Sequence, residues 1–122
     1  MYGIIATWRM ALEGISKADS MLKNNESAAD SIEEAIKAVE DFEYYKSVGY
    51  GGLPNEEMEV ELDAAFMDGD TLEFGCVGGV KDFANPVSIA RSLMHYDANN
   101  FLIGQGAEKY ASRHGFERKT ML

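Results

Sequence analysis

Cysteine, basic residues and long apolar runs are all scarce in this chain of 122 residues. The single cysteine, Cys76, excludes an internal disulfide and favours a reducing compartment. Eleven Lys and Arg against 21 Asp and Glu give a net charge of −10, which argues against nucleic acid or an anionic membrane as a partner. No stretch reaches the roughly 18 apolar residues of a membrane span, and no basic leader precedes the short apolar run after Met1. These scarcities predict a cytoplasmic protein without a signal peptide.

Residues that usually build metal sites or nucleophilic centres are also sparse or badly spaced. His95 and His114 fall on different predicted helices, and neither has a second His or Cys at ligand spacing. The acidic run 56–63 lacks the spacing of an EF-hand loop and most simply faces water. Cys76 has no basic neighbour that would stabilise a thiolate, so we predict inert packing in the core. Residue chemistry alone therefore predicts no metal, no cofactor and no complete catalytic centre.

The composition that is present is typical of a globular protein, with 46% hydrophobic and 26% charged residues, and the length allows one domain over residues 1–122. The apolar residues recur with period two in some segments and with helical period in others. This pattern predicts the order β, α, α, β, β, α, β, α, which indicates an α+β layered domain. The predicted strands are 2–8, 60–66, 71–80 and 101–103, and the predicted helices are 11–23, 28–42, 86–94 and 104–114.

Local signals mark the ends of several helices. Ser27 can cap the second helix, and Asn85 followed by Pro86 is a cap with proline at the first helical position. Gly115 ends the last helix, and residues 116–122 form a tail. The second helix is predicted to have an apolar stripe on one side and an acidic, solvated side opposite to it. That acidic side contains Glu33, Glu34, Lys37, Glu40 and Asp41.

The central strands are predicted to form a hairpin. Asp68-Gly69 is a signal for a two-residue turn, after which Leu72, Phe74 and Cys76 are expected to continue the apolar face on the return strand. The strands 2–8 and 101–103 are short and apolar, so we expect both to be buried between neighbouring strands.

A glycine-rich loop and a lone tryptophan are the features that suggest a ligand site. Residues 48–55 read VGYGGLPN, and glycine at this density lets backbone approach backbone or ligand closely. No Lys-Ser pair follows and the next predicted element is a strand, which argues against a phosphate-binding loop. Trp8 ends the first predicted strand, and ligand sites favour such positions. The residues alone leave core packing and ligand contact open for Trp8 and favour core packing.

A series of short motifs resembles one family of enzymes. The series is Thr7-Trp8, VGYGGLPNE at 48–56, LDAAFMDG at 62–69, GCVGGV at 75–80, NPVSIAR at 85–91 and LIGQGA at 102–107. Each motif alone is weak, but their order and spacing are similar to those of the glycosylasparaginases and their relatives, the type 2 asparaginases and isoaspartyl peptidases, among the N-terminal-nucleophile (Ntn) hydrolases. The resemblance extends over nearly the whole chain.

This resemblance implies half of a four-layer αββα sandwich. Members of the family are made as a precursor that cuts itself before a threonine, which then hydrolyses the β-amide of asparagine or of its derivatives. The chain resembles the α part, upstream of the cut, so no catalytic residue is expected in it and the chain alone is expected to be inactive. Trp8 matches the tryptophan that lines the substrate pocket, and Gly49, Gly51, Gly52 and Asn55 match the loop that supports this pocket.

The implied partners are the β subunit of the same precursor, further αβ units in a homo-oligomer, and a small-molecule asparagine derivative. Within the family, residues 48–55 and Trp8 favour a glycosylasparaginase over an isoaspartyl peptidase. The expected substrate is N4-(β-N-acetylglucosaminyl)-L-asparagine or L-asparagine. The family's His-Asp-Thr segment does not occur up to Leu122, so a processed subunit, a truncated chain and a fragment remain open. The alternative from another class is a binding or interaction module that kept the α+β fold without the chemistry.

Overall fold

A computed structural model describes residues 1–121, and Leu122, the last residue of the predicted domain and tail, lies outside the described residues. Four helices and a three-stranded sheet confirm the predicted α+β class. The helices are α1 (Leu12–Lys23), α2 (Ala28–Glu40), α3 (Pro86–Leu93) and α4 (Gly104–Arg113), and the strands are β1 (Leu62–Met67), β2 (Phe74–Val80) and β3 (Phe101–Ile103). Short 3-10 turns cover Arg9–Ala11 and Gly49–Gly51. Within residues 1–121, no helix is long and apolar enough to cross a membrane.

The prediction of a first strand at residues 2–8 is wrong for this structure. Trp8 has extended backbone angles, but the segment before it is not part of the sheet, and Ile5 is 92% exposed. An extended segment becomes a strand only when another strand takes up its backbone hydrogen bonds. In the described part of the chain, no strand pairs with this segment, so it stays irregular.

The first two helices form a packed pair whose start and contact both follow from the sequence. Ser27 caps α2, because its side-chain oxygen accepts a hydrogen bond from Asp30 N at 3.0 Å, as predicted. Gly14 lets α1 approach α2 closely, since a Cβ at this position would stand 2.3 Å from the carbonyl oxygen of Ala35. The two helices therefore meet through main chain as well as through side chains.

The sheet has the order β1-β2-β3, with β1 antiparallel and β3 parallel to β2. Leu62 pairs with Val80 and Ala64 with Val77, so β2 carries one more residue than β1 in this interval. Gly79, with φ of +61°, accommodates this bulge, and its N–H donates to Asp63 Oδ1 at 2.8 Å. The bulge thus keeps its backbone donor satisfied while it changes the register.

The predicted two-residue hairpin turn at Asp68-Gly69 is wrong, because the last paired residues are Met67 and Phe74 and six residues connect them. Asp68 organises this longer turn: its side chain accepts from Asp70 N at 2.8 Å, and its N–H donates to Glu73 O at 2.9 Å. Leu72 lies in the turn with φ of +61° and is exposed, so it does not continue the apolar face of the strand.

The face of β2 that reaches the core is opposite to the predicted one. Gly75, Val77 and Val80 point inward, whereas Phe74 is 44% exposed and Cys76 is only partly buried. The predictions of an inward Phe74 and of core packing for Cys76 are therefore wrong. The sheet side away from the helices, hereafter the outer face, carries Ala65, Met67, Phe74, Cys76, Phe101 and Ile103.

The predicted strand 101–103 is confirmed as β3, but its predicted burial is not. Phe101 and Ile103 are 56% and 66% exposed, because both lie on the outer face. A row of apolar side chains on one sheet face is thus open to solvent in the described part of the chain.

The core lies between the sheet and the helices α3 and α4. Gly75 lets α3 rest directly on β2, since a Cβ there would stand 1.9 Å from Ala90 O. Pro86 begins α3 and Gly115, with φ of +76°, ends α4, as predicted. The side chains that fill this space are Phe66, Val77, Val80, Phe83, Val87, Ile89, Ala90, Leu93, Met94, Ala107, Tyr110 and Ala111.

The tail returns across the domain rather than extending into solvent. Lys119 N donates to Asp82 O at 3.1 Å, and Met121 is buried with Val60 and Leu62. The Lys119 ammonium lies 3.8 Å from the ring centroid of Tyr50, in the glycine-rich loop. The tail therefore packs against the same loop that the sequence singled out.

Candidate functional site

A cleft of about 640 Å³ lies between the N-terminal segment and the helix α2. Residues 4–8 and 10–11 form one wall, and the apolar side of α2 forms another. The loop residues 47–49, the start of β1 and the first two residues of α3 complete it. The lining is mostly apolar with a few polar groups, which is the usual make-up of a small-molecule site.

Trp8 lies in the wall of this cleft, at the point where the N-terminal segment enters a 3-10 turn. Its carbonyl oxygen accepts from Ala11 N at 3.0 Å, which fixes its backbone, and its side chain is 54% exposed. Trp8 is therefore not a core residue in this structure, although core packing was the reading favoured by composition alone. The geometry leaves the indole free to contact a ligand.

The glycine-rich loop owes its shape to contacts between main-chain segments. Gly49 is buried with φ of +62°, and a Cβ there would stand 2.1 Å from Glu40 O. A Cβ at Gly51 would stand 2.3 Å from the carbonyl oxygens of Glu43 and Tyr45, and one at Gly52 would stand 3.0 Å from Gly49 O. Gly49 lines the cleft, whereas Gly51 and Gly52 do not.

Asn55 closes the loop beyond the glycines. Its side-chain oxygen accepts from Glu57 N at 2.9 Å and from Glu59 N at 3.0 Å, and its amide donates to Glu61 Oε2 at 3.1 Å. Asn55 is exposed and does not line the cleft, but Glu61 does. Asn55 therefore reaches the site through the turn that it organises and through Glu61.

Glu40 is a site residue that the sequence reasoning assigned wrongly to the solvated face of α2. The side chain is only 4% exposed and lines the cleft. Burial raises the pKa of the Glu40 carboxyl from 4.5 to about 7, although hydrogen bonds from Asn85 and Val87 oppose this rise. The sequence does contain a signal for this burial. Glu40 is four residues after the apolar Ile36, which lines the same cleft, and residues four apart lie on the same side of a helix.

The carboxylate of Glu40 connects α2 to the start of α3. Its Oε1 accepts from Val87 N and its Oε2 accepts from Asn85 Nδ2, both at 3.1 Å. The predicted capping by the Asn85 side chain is wrong, because this amide donates to Glu40 and, at 2.8 Å, to Asp41 Oδ1. Glu40 thus supplies from a neighbouring helix the acceptor that the N-terminus of α3 needs.

Ion pairs at the other end of this helix contact fix the rotation of α3. Arg91 donates to Asp30 at 2.7 Å and also to Glu33, and Ser88 Oγ donates to Glu33 Oε1 at 2.5 Å. Glu33 is half-buried between the helices rather than solvated as predicted. The two helices are therefore held at both ends of their contact by carboxylates from α2.

The remaining candidate residues lie away from the cleft. His95 approaches Glu73 at 3.6 Å, and His114 stacks on Tyr110 with ring centroids 4.0 Å apart. Within residues 1–121, no group of three or more His, Cys, Asp or Glu is placed to hold a metal ion. The described lining of the cleft has hydroxyls at Thr7 and Ser47 but no His, Lys or Cys to activate them.

The chain was compared with protein families and with curated proteins. The family model described as Asparaginase matches residues 5–121. The N(4)-(β-N-acetylglucosaminyl)-L-asparaginase of Elizabethkingia miricola is 34% identical over 119 residues, which cover 98% of this chain and 35% of that protein. The isoaspartyl peptidase/L-asparaginase of Rattus norvegicus is 40% identical over 107 residues, covering 84% of this chain and 32% of that protein.

A third relative, the isoaspartyl peptidase of Escherichia coli, is 38% identical over 104 residues, covering 85% of this chain and 32% of that protein. The chain thus spans about a third of the length of the curated relatives that it matches. The family match over nearly all of its residues, together with the motif series, shows that the chain belongs to the type 2 asparaginase family.

Proposed function

We propose that this chain is the α part of an amidohydrolase that cleaves the β-amide of asparagine or of an asparagine derivative. The observation that carries the proposal is the family match over residues 5–121, whose relatives are named for this class of reaction. The chain supplies binding surface, and the nucleophile is an N-terminal threonine that lies outside it and is released by self-cleavage of a precursor. The 122 residues alone are therefore expected to be inactive.

The substrate site is proposed to be the cleft that Trp8 lines. The exposed indole and the apolar side of α2 would contact the substrate, and the main chain at Gly49 would limit the space beside them. Gly51, Gly52 and Asn55 support this wall from behind, which is the role that the resemblance implies for them. Cytoplasmic location also remains a proposal, supported by the low cysteine content.

The outer face supports the proposed partnership with a β subunit. Four large apolar side chains there are between 44% and 66% exposed, and such contiguous exposure is typical of a surface that another element covers. These residues are Met67, Phe74, Phe101 and Ile103. A second sheet laid on this face would complete an αββα sandwich, with the open edges of β1 and β3 available for further strands. Association of αβ units into a homo-oligomer rests on the resemblance alone.

The test is to express the full reading frame that contains this chain and to assay three substrates. Aspartate release from N4-(β-N-acetylglucosaminyl)-L-asparagine, ammonia release from L-asparagine and cleavage of an isoaspartyl dipeptide separate the reactions of the family. Trp8→Phe should raise KM or lower kcat about five- to thirtyfold, equivalent to about 1–2 kcal/mol, with the fold unchanged. Tyr44→Phe, at an exposed aromatic outside the cleft, is the matched control and should have no effect.

The same assays discriminate the alternatives. Preference for the isoaspartyl dipeptide would assign the chain to an isoaspartyl peptidase. No turnover of any of the three by a folded, full-length protein would favour the binding module. If Trp8→Phe lowers stability and leaves the kinetics alone, the proposed role of Trp8 in the site is wrong.

A further inference from the structure

Glu40 lies on the α2 wall of the cleft and contacts two of its other walls, the start of α3 and the glycine-rich loop. Its carboxylate accepts hydrogen bonds from the start of α3, at Asn85 Nδ2 and Val87 N, both 3.1 Å away. Its main chain lies against Gly49, where a Cβ would stand 2.1 Å from Glu40 O. Val87 and Gly49 both line the cleft, as does Glu40 itself. A change at this one residue is therefore transmitted to α2, to α3 and to the glycine-rich loop.

The hydrogen-bond pattern around this carboxyl suits its ionised form. An ionised carboxylate only accepts, and it meets two donors here. A protonated carboxyl would turn an O–H donor toward the amide of Asn85, which is already donating. Asn85 would then have to rotate its side chain and give up the 2.8 Å hydrogen bond to Asp41 Oδ1. Protonation of Glu40 thus disturbs the residue that precedes α3.

The surroundings hold the two forms of Glu40 close in free energy near neutral pH. Burial raises its pKa to about 7 and Asp41 adds to the rise, whereas the donors on α3 and the ammonium of Lys37 oppose it. From α3 the carboxyl faces a neutral amide and a backbone N–H, and from the loop it faces the main chain of Gly49. Both forms are therefore populated within the pH range in which an enzyme can be assayed.

We infer that Glu40 is a positioning residue for the proposed asparaginase site. Its ionised carboxylate holds the start of α3 and the Gly49 loop in the arrangement that shapes the substrate cleft. This inference rests on the proposed function for the identity of the ligand. Glu40 acts by holding the main chain of α3 and of the Gly49 loop in place, and it does not touch the reacting bond.

The experiment compares Glu40→Gln with wild type in the full-length enzyme from pH 5.5 to 8.5. Gln has the shape of the protonated acid and presents an N–H₂ donor toward Asn85, so it imitates the protonated form at every pH. In wild type, KM should be about tenfold higher at pH 6 than at pH 8, because only the ionised fraction is competent. In Glu40→Gln, KM should lose this dependence on pH and at pH 8 should be at least as high as the wild-type value at pH 6, because no ionised form remains, with kcat changed less than KM.

The control is Glu43→Gln, which removes the same charge from an exposed position three residues away. It should retain the wild-type profile. A Glu40→Gln enzyme with the wild-type pH dependence of KM would overturn the inference, as would a loss of similar size at every pH, which indicates a merely structural role. If Glu40→Gln fails to fold, Asn85→Ala takes its place. The step in KM should then shrink to less than about twofold, because protonation of Glu40 has no Asn85 amide to displace, and an undiminished step would overturn the inference.

Hydrogen–deuterium exchange separates this inference from the proposed function. Peptides that cover residues 47–53 and 85–90 should exchange faster in Glu40→Gln than in wild type at pH 8 and equally fast at pH 6. This readout needs no substrate. If no asparagine derivative is hydrolysed but the exchange follows this pattern, the proposed function fails and the positioning role of Glu40 holds. Equal exchange at pH 8 would refute the positioning role even in an active enzyme.

Discussion

Replacing Glu40 by Gln should change the stability of the protein in a way that depends on pH. The folded state raises the pKa of this carboxyl from 4.5 to about 7, chiefly through burial, so the folded state binds the proton more tightly than the unfolded state. Below pH 4.5 the group is protonated in both states and its contribution to stability is fully present. Between pH 4.5 and 7 the unfolded state releases the proton first, and stability therefore falls as pH rises.

The size of this fall follows from the interval between the two pKa values. About 2.5 pH units at about 1.4 kcal/mol per unit correspond to about 3 kcal/mol, which is lost in full above pH 7. Glu40→Gln carries no titrating proton, so it escapes this loss. The free energy of unfolding of the variant, relative to wild type, should rise by about 3 kcal/mol from pH 4.5 to pH 7.5, whatever constant offset the amide introduces.

Urea denaturation of the full-length protein, followed by circular dichroism at a fixed protein concentration, measures this difference at pH 4.5, 6 and 7.5. Glu43→Gln, at an exposed site, should stay within about 0.5 kcal/mol of wild type throughout. A difference between Glu40→Gln and wild type that does not vary with pH would refute the reasoning. A difference that shifts in favour of wild type at high pH would mean that the folded pKa lies below the unfolded one.

Substitutions at two glycines and at one helix cap test the packing of the domain. Gly75→Ala should destabilise it by about 3 kcal/mol, because the new methyl group would stand 1.9 Å from Ala90 O and force α3 away from the sheet. Gly69→Ala, with open space around the new atom, serves as its control in the same urea experiment and should be close to neutral. Ser27→Ala should cost about 1 kcal/mol through loss of the α2 cap, seen as a lower Tm of a few degrees. An unchanged Tm would mean that solvent replaces the cap without loss.

Local signals predicted several element ends correctly because they act within one turn of chain. Ser27 satisfies a donor three residues away, Pro86 has a fixed φ suited to a first helical position, and Gly115 adopts the left-handed conformation that ends a helix. None of these effects depends on the rest of the fold, so the sequence around each residue was sufficient.

The errors arose where the outcome depends on distant partners. The face of β2 was predicted wrongly because its inward positions are set by the pairing of Phe66 with Gly75. The glycines of β2 leave little alternation that could reveal this register. The segment 2–8 has the composition of a strand but finds no partner strand within residues 1–121. Glu40 was predicted to be solvated because its hydrogen-bond partners, Asn85 and Val87, are more than 40 positions away in the sequence.

The candidate site was predicted unevenly for the same reason. Trp8 and Gly49 were singled out by their residue types, and the structure brings both to one cleft. Asn55 was predicted in the supporting loop, but its reach to Glu61 depends on the turn that its own side chain folds. Residue type thus indicated which groups are unusual, whereas the fold decides how they are joined.

The close main-chain contacts of the glycine-rich loop limit how this cleft can evolve. At Gly49 and Gly51 any side-chain atom would stand 2.1–2.3 Å from a carbonyl oxygen, so substitution there distorts the wall rather than altering its chemistry. Trp8, Ile32 and Ile36 also line the cleft, and the first two are 54% and 43% exposed. The shape and polarity of the cleft can thus change through exchange of these three side chains, whereas the main-chain wall at Gly49 and Gly51 tolerates no added atom.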